Sequence, residues 1–189
     1  RQRQMCIRDR NLLKVGLLDS INVYCSNEEV VPFLPEGVNF IKRPDFLDLP
    51  TSNFSQIFEN FMNEYDADIY VYAHATAPFI TVETMKECIE AVKSGKYDSA
   101  FCATKIQDYL WQDGIPLNFE AENVPRSQDM KPIYRETSGV YAFTKDVFLK
   151  YHRRVGVNPY IKEVTYKEAV DINNPEDFDL AEALVNINL

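Results

Sequence analysis

The feature that most constrains this chain is the alternation of strand-like and helix-like stretches along most of its length. "DIYVYAHA" (68–75) is an apolar, β-rich run suited to a sheet interior. It gives way at once to a helical pattern opened by Thr81, with Val82, Met85, Ile89 and Val92 on one face. "YDSAFCATKI" is a further strand, "SGVYAFTKDVFLKYHRR" a strand followed by a helix, and "YIKEVT" another strand. Near the start, "NLLKVGLLDS" reads as the tail of a helix, "INVYCSN" as a strand, and "VNFIKRP" as a short strand stopped by Pro44. Thr51 or Ser52 is the expected cap of a helix burying Phe54, Ile57, Phe58, Phe61 and Met62. Asn174 and Pro175 start the last helix, with Glu176 and Asp177 where they favour the dipole. The pattern predicts an α/β fold of three layers, a mostly parallel sheet with helices on both faces.

Bulk properties narrow the function classes. The chain has 189 residues, of which 46% are hydrophobic, enough for one domain with a sizeable core. Its formal charge of -9 argues against a nucleic-acid partner. No apolar run approaches the ~20 residues a membrane span requires. The cysteines (Cys6, Cys25, Cys88, Cys102) show no CxxC spacing and read as buried free thiols of a reducing cytoplasm. Two distant histidines, His74 and His152, argue against a zinc centre. Residues 1–10, "RQRQMCIRDR", are highly charged and aperiodic, and resemble translated sequencing-adaptor read-through. They are expected to be non-native or disordered, leaving 11–189 as a single domain.

Ligands of open α/β sheets bind beyond the carboxyl ends of the strands. Three segments fall there. "HATAPF" ends a strand in small residues, which would let a ligand approach the backbone, with His74 or Thr76 donating a hydrogen bond. It reads equally as a tight loop stopped by Pro78. "PRSQDMKPIYRETSGVYAF" gathers Arg126, Gln128, Lys131 and Arg135 in an otherwise acidic chain, groups suited to carboxylates, phosphates and sugar hydroxyls. It reads equally as a solvated loop. In "AVDINNPEDFDLAEA", Asp171 and Asn173 alternate, so both side chains point the same way and could hold Mg²⁺. Capping by Asn174 and Asp177 accounts for the remainder without using Asp171.

These segments carry a resemblance. From about Leu12 to Leu184 the chain resembles the acylneuraminate cytidylyltransferases, the CMP-sialic acid synthetases and their relatives. "HATAPF" is similar to the family's Q-P-T-S-P-L, and "RSQDMKPIYRETSGVYAF" to its R-x-Q…Y-x-x-N-G-A-I-Y-I. "VDINNPEDFDLAEA" is similar to its I-D-I-D-T-x-x-D-x-x-x-A-E, and "RPDFLDLPTSNFSQIF" to the stretch leading into its second helix. The resemblance implies transfer of CMP from CTP to a nonulosonic sugar acid, with loss of pyrophosphate. It implies Asp171 as a Mg²⁺ ligand joined by Asn173, where the family often has a second Asp. Arg126 and Arg135 would act on the reacting phosphates or sugar, with His74, Thr76, Gln128, Ser138 and Gly139 contacting substrate. His74 stands where the family has a Gln, and a His there could carry charge toward a sugar carboxylate. The stretch 107–135 would be a dimerisation arm, with Trp111 and Phe119 at a homodimer interface or packed locally.

The family's first strand and its triphosphate loop, with an Arg, a Ser-Lys-Gly and a later Lys-Asn, are not matched in "RQRQMCIRDRNLLKVG". The expectation is an N-terminally truncated chain of low activity. Two other readings stand beside this one. The chain could be a non-catalytic homologue serving as a binding or dimerisation module. It could also be a nucleotidyltransferase for another sugar acid such as 3-deoxy-manno-octulosonate, or a transferase that consumes a nucleotide sugar.

Overall fold

The computed structural model describes the backbone of residues 2–186 and the side chains of 7–186. Among the described residues five α-helices, α1 (Gln2–Val15), α2 (Phe54–Glu64), α3 (Val82–Lys93), α4 (Lys145–Tyr151) and α5 (Pro175–Asn186), alternate with eight strands. The strands are β1 (Asn22–Cys25), β2 (Asn39–Lys42), β3 (Ile69–Ala73), β4 (Ser99–Ile106), β5 (Trp111–Gln112), β6 (Ile115–Pro116), β7 (Ile133–Thr144) and β8 (Pro159–Glu163).

The main sheet has the order β3-β7-β4-β8, and β1 and β2 form a separate parallel pair. In the main sheet β3, β4 and β8 run the same way and β7 runs against them, so the sheet is mixed. Chain path explains the reversal. The chain leaves the carboxyl end of β4, makes an excursion over residues 107–132, and re-enters from that same end. It can only run back, and it inserts between β3 and β4.

Helices cover both faces. On one, α1 and α3 bury Val15, Met85, Ile89 and Val92, together with Ile80 just before α3, against Ala100, Val140 and Ala142. On the other, α2 and α4 bury Phe58, Tyr70, Tyr141, Phe143 and Phe148. Phe58 meets the rings of Tyr70, Phe143 and Phe148 at centroid distances of 5.0, 5.0 and 4.8 Å. Contacts of that spacing add to the burial of their area.

Some expectations are corrected. Residues 2–10, expected to lack order, lie in α1, and Asp9 is 1% exposed. The cap of α2 is Asn53 rather than Thr51 or Ser52. It forms a reciprocal box with Gln56, whose backbone N–H it accepts and whose side chain accepts the Asn53 N–H, each at 3.0 Å. Thr81 caps α3 as expected. Asn174 caps the start of α5, where Asp177 in turn accepts from the N–H groups of Asn173 and Asn174. Cys25, Cys88 and Cys102 are free thiols, and Cys88 and Cys102 are fully buried. The Cys6 side chain lies outside the described residues. Among the described residues no helix is long and apolar enough to cross a membrane.

Candidate active site

The register of β7 shapes the site. Phe101 pairs with Tyr141 and Ala103 pairs with Glu136, so one β4 residue faces four on β7. These four, Thr137–Val140, form a large bulge opposite Cys102, closed by the Thr137 hydroxyl donating to the Cys102 carbonyl at 3.1 Å. Bulges commonly re-aim side chains beside functional sites. This one carries Ser138 and Gly139 to the end of β3, where the His74 N–H donates to the Gly139 carbonyl at 3.2 Å.

The segment between the 165–170 loop and α5 closes the other side. The Ile172 N–H donates to the Thr76 carbonyl at 2.9 Å, which brings Asp171 against Thr76 and Ser138. Burial alone would raise the Asp171 carboxyl. The Thr76 hydroxyl, the Asn173 amide, the Ser138 hydroxyl and the charge response of His74 outweigh it and hold the group below the ordinary carboxylate range. Asp171 Oδ2 accepts from Asn173 Nδ2 at 3.1 Å. Among the described residues nothing, the nearby Thr76 and Ser138 hydroxyls included, meets the buried Asp171 Oδ1 at hydrogen-bonding distance and angle. An ionised carboxylate with one buried, unpartnered oxygen is a favourable place for a cation.

His74 is neutral at physiological pH. Burial first, and then the adjacent Arg154 charge, push its pKa down to about 4, against the opposing pull of Asp171. Its Nε2 lies 3.3 Å from Arg154 Nη1. A guanidinium can only donate, so Nε2 is the acceptor and Nδ1 carries the proton. The expectation that His74 could carry charge toward a sugar carboxylate is therefore corrected: the charge at this point belongs to Arg154. That guanidinium lies on the face of Tyr141, 3.8 Å from the ring centroid, and 3.5 Å from Glu136 Oε1. Tyr141 donates its hydroxyl to the same Glu136 oxygen at 2.6 Å. The Tyr141 phenol is pushed up, by burial first and then by Glu136.

The structure thus brings together His74, Thr76, Ser138, Gly139, Asp171 and Asn173. Gly139 contributes backbone only, because a Cβ there would overlap the Ile80 side chain. Arg126 and Gln128 are not part of the group. The Arg126 side chain is 80% exposed, with Asp129 its one ion-pair partner among the described residues, at 4.0 Å. Gln128 meets Gln107 through its carbonyl at 3.5 Å. Arg135 is exposed on β7, paired with Thr104. The excursion holds a small hairpin, β5–β6, with Phe119 packed on Tyr109 and Trp111 at 5.1 and 5.2 Å.

Arg154, Tyr141 and Glu136 were not legible as site residues. "HRR" reads as the charged end of α4, and nothing local shows that the chain after the left-handed cap at His152 returns to β3. The hydroxyl of Tyr141 was hidden in what reads as an ordinary apolar strand.

A sequence model of the cytidylyltransferase family matches residues 7–189. The chain belongs to the cytidylyltransferase family. Its fold is shared by solved cytidylyltransferase structures at low identity. A CMP:2-keto-3-deoxy-manno-octonic acid synthetase complexed with CTP superposes with a TM-score of 0.71 at 16% identity, covering 98% of this chain and 88% of that one. The 4-diphosphocytidyl-2C-methyl-D-erythritol synthase of Anaerococcus prevotii gives 0.69 at 14% identity, covering 97% and 86%. The 2-C-methyl-D-erythritol 4-phosphate cytidylyltransferase of Thermus thermophilus gives 0.56 at 13%, covering 94% and 88%. No curated protein matches. At such identities the likeness establishes the mixed α/β architecture of this cytidylyltransferase-family chain, and its substrate must be argued from the site.

Proposed function

We propose that the chain transfers CMP from CTP to an acidic sugar of the nonulosonic or octulosonic type. Family membership supplies the nucleotide, and the observation that carries the site is the buried, unpartnered Oδ1 of ionised Asp171 at the carboxyl end of the sheet. In the reaction a sugar hydroxyl oxygen forms a bond to the α-phosphorus of CTP. The bond from that phosphorus to the β-phosphate bridging oxygen breaks, pyrophosphate leaves, and the hydroxyl proton passes to solvent.

The donor set fits Mg²⁺, which takes one or two protein oxygens, substrate phosphates and water. Among the described residues no three His, Cys, Asp or Glu side chains converge into a metal cage, so phosphate oxygens must complete the shell. Asp171 would hold the ion. Asn173 in its present rotamer gives Asp171 its amide N–H and must turn to offer its oxygen. Bound there, Mg²⁺ would offset the charge that builds on the transferring phosphate. Thr76 and Ser138 orient the Asp171 carboxylate, and neutral His74 supplies a hydrogen bond from Nδ1.

The arm is proposed to pair with a second copy of the chain. Trp111, Ile115 and Leu117 are 56%, 66% and 56% exposed on it, an apolar surface suited to an interface. A second reading, a non-catalytic homologue, is favoured by one observation: Asn173 spends its amide on Asp171 and leaves a single carboxylate.

Pyrophosphate release decides between them. The chain is incubated with CTP, Mg²⁺ and N-acetylneuraminate, 3-deoxy-manno-octulosonate or 2-C-methyl-erythritol 4-phosphate. Slow turnover with one of the two sugar acids is expected, falling further in Asp171→Ala, by up to about 10²–10³-fold. Activity that survives in Asp171→Ala removes the metal assignment. Failure both to turn over and to bind CTP by calorimetry leaves the non-catalytic reading.

A further inference from the structure

We infer that Arg154 is the specificity-determining residue for the anionic group of the sugar-type substrate, a role that rests on the cytidylyl-transfer reading above. The side chain is built into an aromatic recess. Its guanidinium carbon lies 3.8 Å from the Tyr141 centroid, 5.3 Å from that of Phe54 and 5.9 Å from that of Tyr72. Stacking fixes the plane of the N–H fork and partly desolvates the charge, which is 26% exposed.

The cation is under-neutralised. Its one carboxylate ion-pair partner among the described residues, Glu136, sits at 3.5 Å, is 47% exposed, and already accepts the shorter Tyr141 hydroxyl bond at 2.6 Å. The contact with His74 at 3.3 Å is to a neutral ring. Two guanidinium nitrogens are thus engaged only weakly, and the planar fork suits one carboxylate or phosphate. Position completes the argument. His74 neighbours both Arg154, at 3.3 Å, and the Asp171 charge, so a substrate lying against His74 can present its reacting oxygen near Asp171 and its acidic group to Arg154. Arg126, with its side chain 80% exposed on the arm, has no such recess.

The test compares wild type, Arg154→Met and Arg154→Lys. Steady-state kinetics are run with CTP and three acidic probes, N-acetylneuraminate, 3-deoxy-manno-octulosonate and 2-C-methyl-erythritol 4-phosphate. Each is paired with a neutral counterpart: the methyl ester of each sugar acid, and 2-C-methyl-erythritol. Losing a charge-assisted hydrogen bond predicts a rise of about 10- to 100-fold in KM for the acidic probe in Arg154→Met. KM for CTP should move by less than about threefold, and the preference for acid over neutral counterpart should collapse. Arg154→Lys should recover part of that preference, which a merely structural defect would not allow. Whether the sugar acids or the phosphate responds identifies the anion as carboxylate or phosphate.

An unchanged acid-to-neutral ratio, or an equal rise in KM for CTP, overturns the assignment and leaves the cytidylyl-transfer reading standing. If wild type turns over none of the probes, calorimetric binding of the same acidic probes decides Arg154 separately. Binding lost in Arg154→Met upholds the assignment. Binding retained in the variant, or absent from wild type, overturns it.

Discussion

The Thr84 hydroxyl donates to Glu168 Oε1 at 2.7 Å, and that contact ties the first turn of α3 to the loop that delivers Asp171. The same oxygen accepts from the Thr81 hydroxyl at 3.1 Å, while Oε2 accepts from the Thr165 N–H and hydroxyl at 3.3 and 3.2 Å. Burial would raise the Glu168 carboxyl, but these donors hold it below its ordinary 4.5. The folded state therefore favours the ionised form. The stabilisation is present above the ordinary value and is lost as pH falls through the lower folded value. Glu168→Gln should cost about 1–3 kcal/mol at pH 7, since one acceptor oxygen becomes a donor facing donors. Urea denaturation of both proteins at pH 7 and in acid checks this. The gap should narrow in acid, and a gap independent of pH would show that ionised Glu168 is not the tie.

His74 makes a second pH-dependent term, of known sign. Its folded pKa of about 4 lies below the ordinary 6.5. The unfolded chain thus takes up the proton first as pH falls. Wild type should lose stability between pH 6.5 and pH 4, and none of this loss should occur above 6.5. His74→Gln removes the titrating group while keeping a hydrogen-bonding side chain. Its stability should be flatter across that window, and parallel curves for the two proteins would refute the buried neutral ring.

Much of the architecture was legible because local signals agreed with one another. Thr81 before the 82-85-89-92 stripe, and Asn174-Pro175 before α5, are start signals that tertiary packing had no reason to override. Most strands stand where β-rich runs do, whereas β5, β6 and the start of β7 fall within 107–135, which reads as an irregular arm. What was not legible is non-local. The direction of β7 depends on where the excursion returns, and the bulge at Thr137–Val140 depends on pairing with β4. The site divides along the same line. His74 and Thr76 were readable because they follow the end of β3, and Ser138 and Asp171 because they lie in segments that carry the family resemblance. Arg154 was not, because its partners Tyr141 and His74 come from other elements. The arm residues Arg126 and Gln128 were grouped with the site by the local gathering of charge and by the resemblance of their R-x-Q segment.

Gly139 supplies a test of the close packing behind the site. A Cβ there would overlap Ile80, which is 1% exposed, and would lie 3.8 Å from the Cys102 Cβ. Gly139→Ala should cost about 1–3 kcal/mol through overpacking. Because the Gly139 carbonyl accepts the His74 N–H, the variant should also disturb the His74 ring. Pairing it with Ile80→Val should recover a good part of the loss, a coupling that a double-mutant cycle measures directly. Strict additivity of the two changes would mean that they do not share the space.

The last prediction concerns Asn173. Its amide now donates to Asp171 Oδ2 at 3.1 Å and neutralises nothing. Asn173→Asp replaces that donor with a second carboxylate. Without a divalent cation the two like charges repel, so the variant should be less stable than wild type in EDTA. With Mg²⁺ the same pair becomes a stronger oxygen site, so the variant should gain more in melting temperature per increment of Mg²⁺ than wild type. Asp171→Ala should show no Mg²⁺-dependent gain beyond ionic strength, matched by equivalent NaCl. The measurement is thermal unfolding over a Mg²⁺ titration, which needs no turnover. A larger gain in Asn173→Asp, absent in Asp171→Ala, would make Asp171 a cation ligand independent of any substrate. Identical responses in all three proteins would mean that the buried Oδ1 serves the fold rather than an ion.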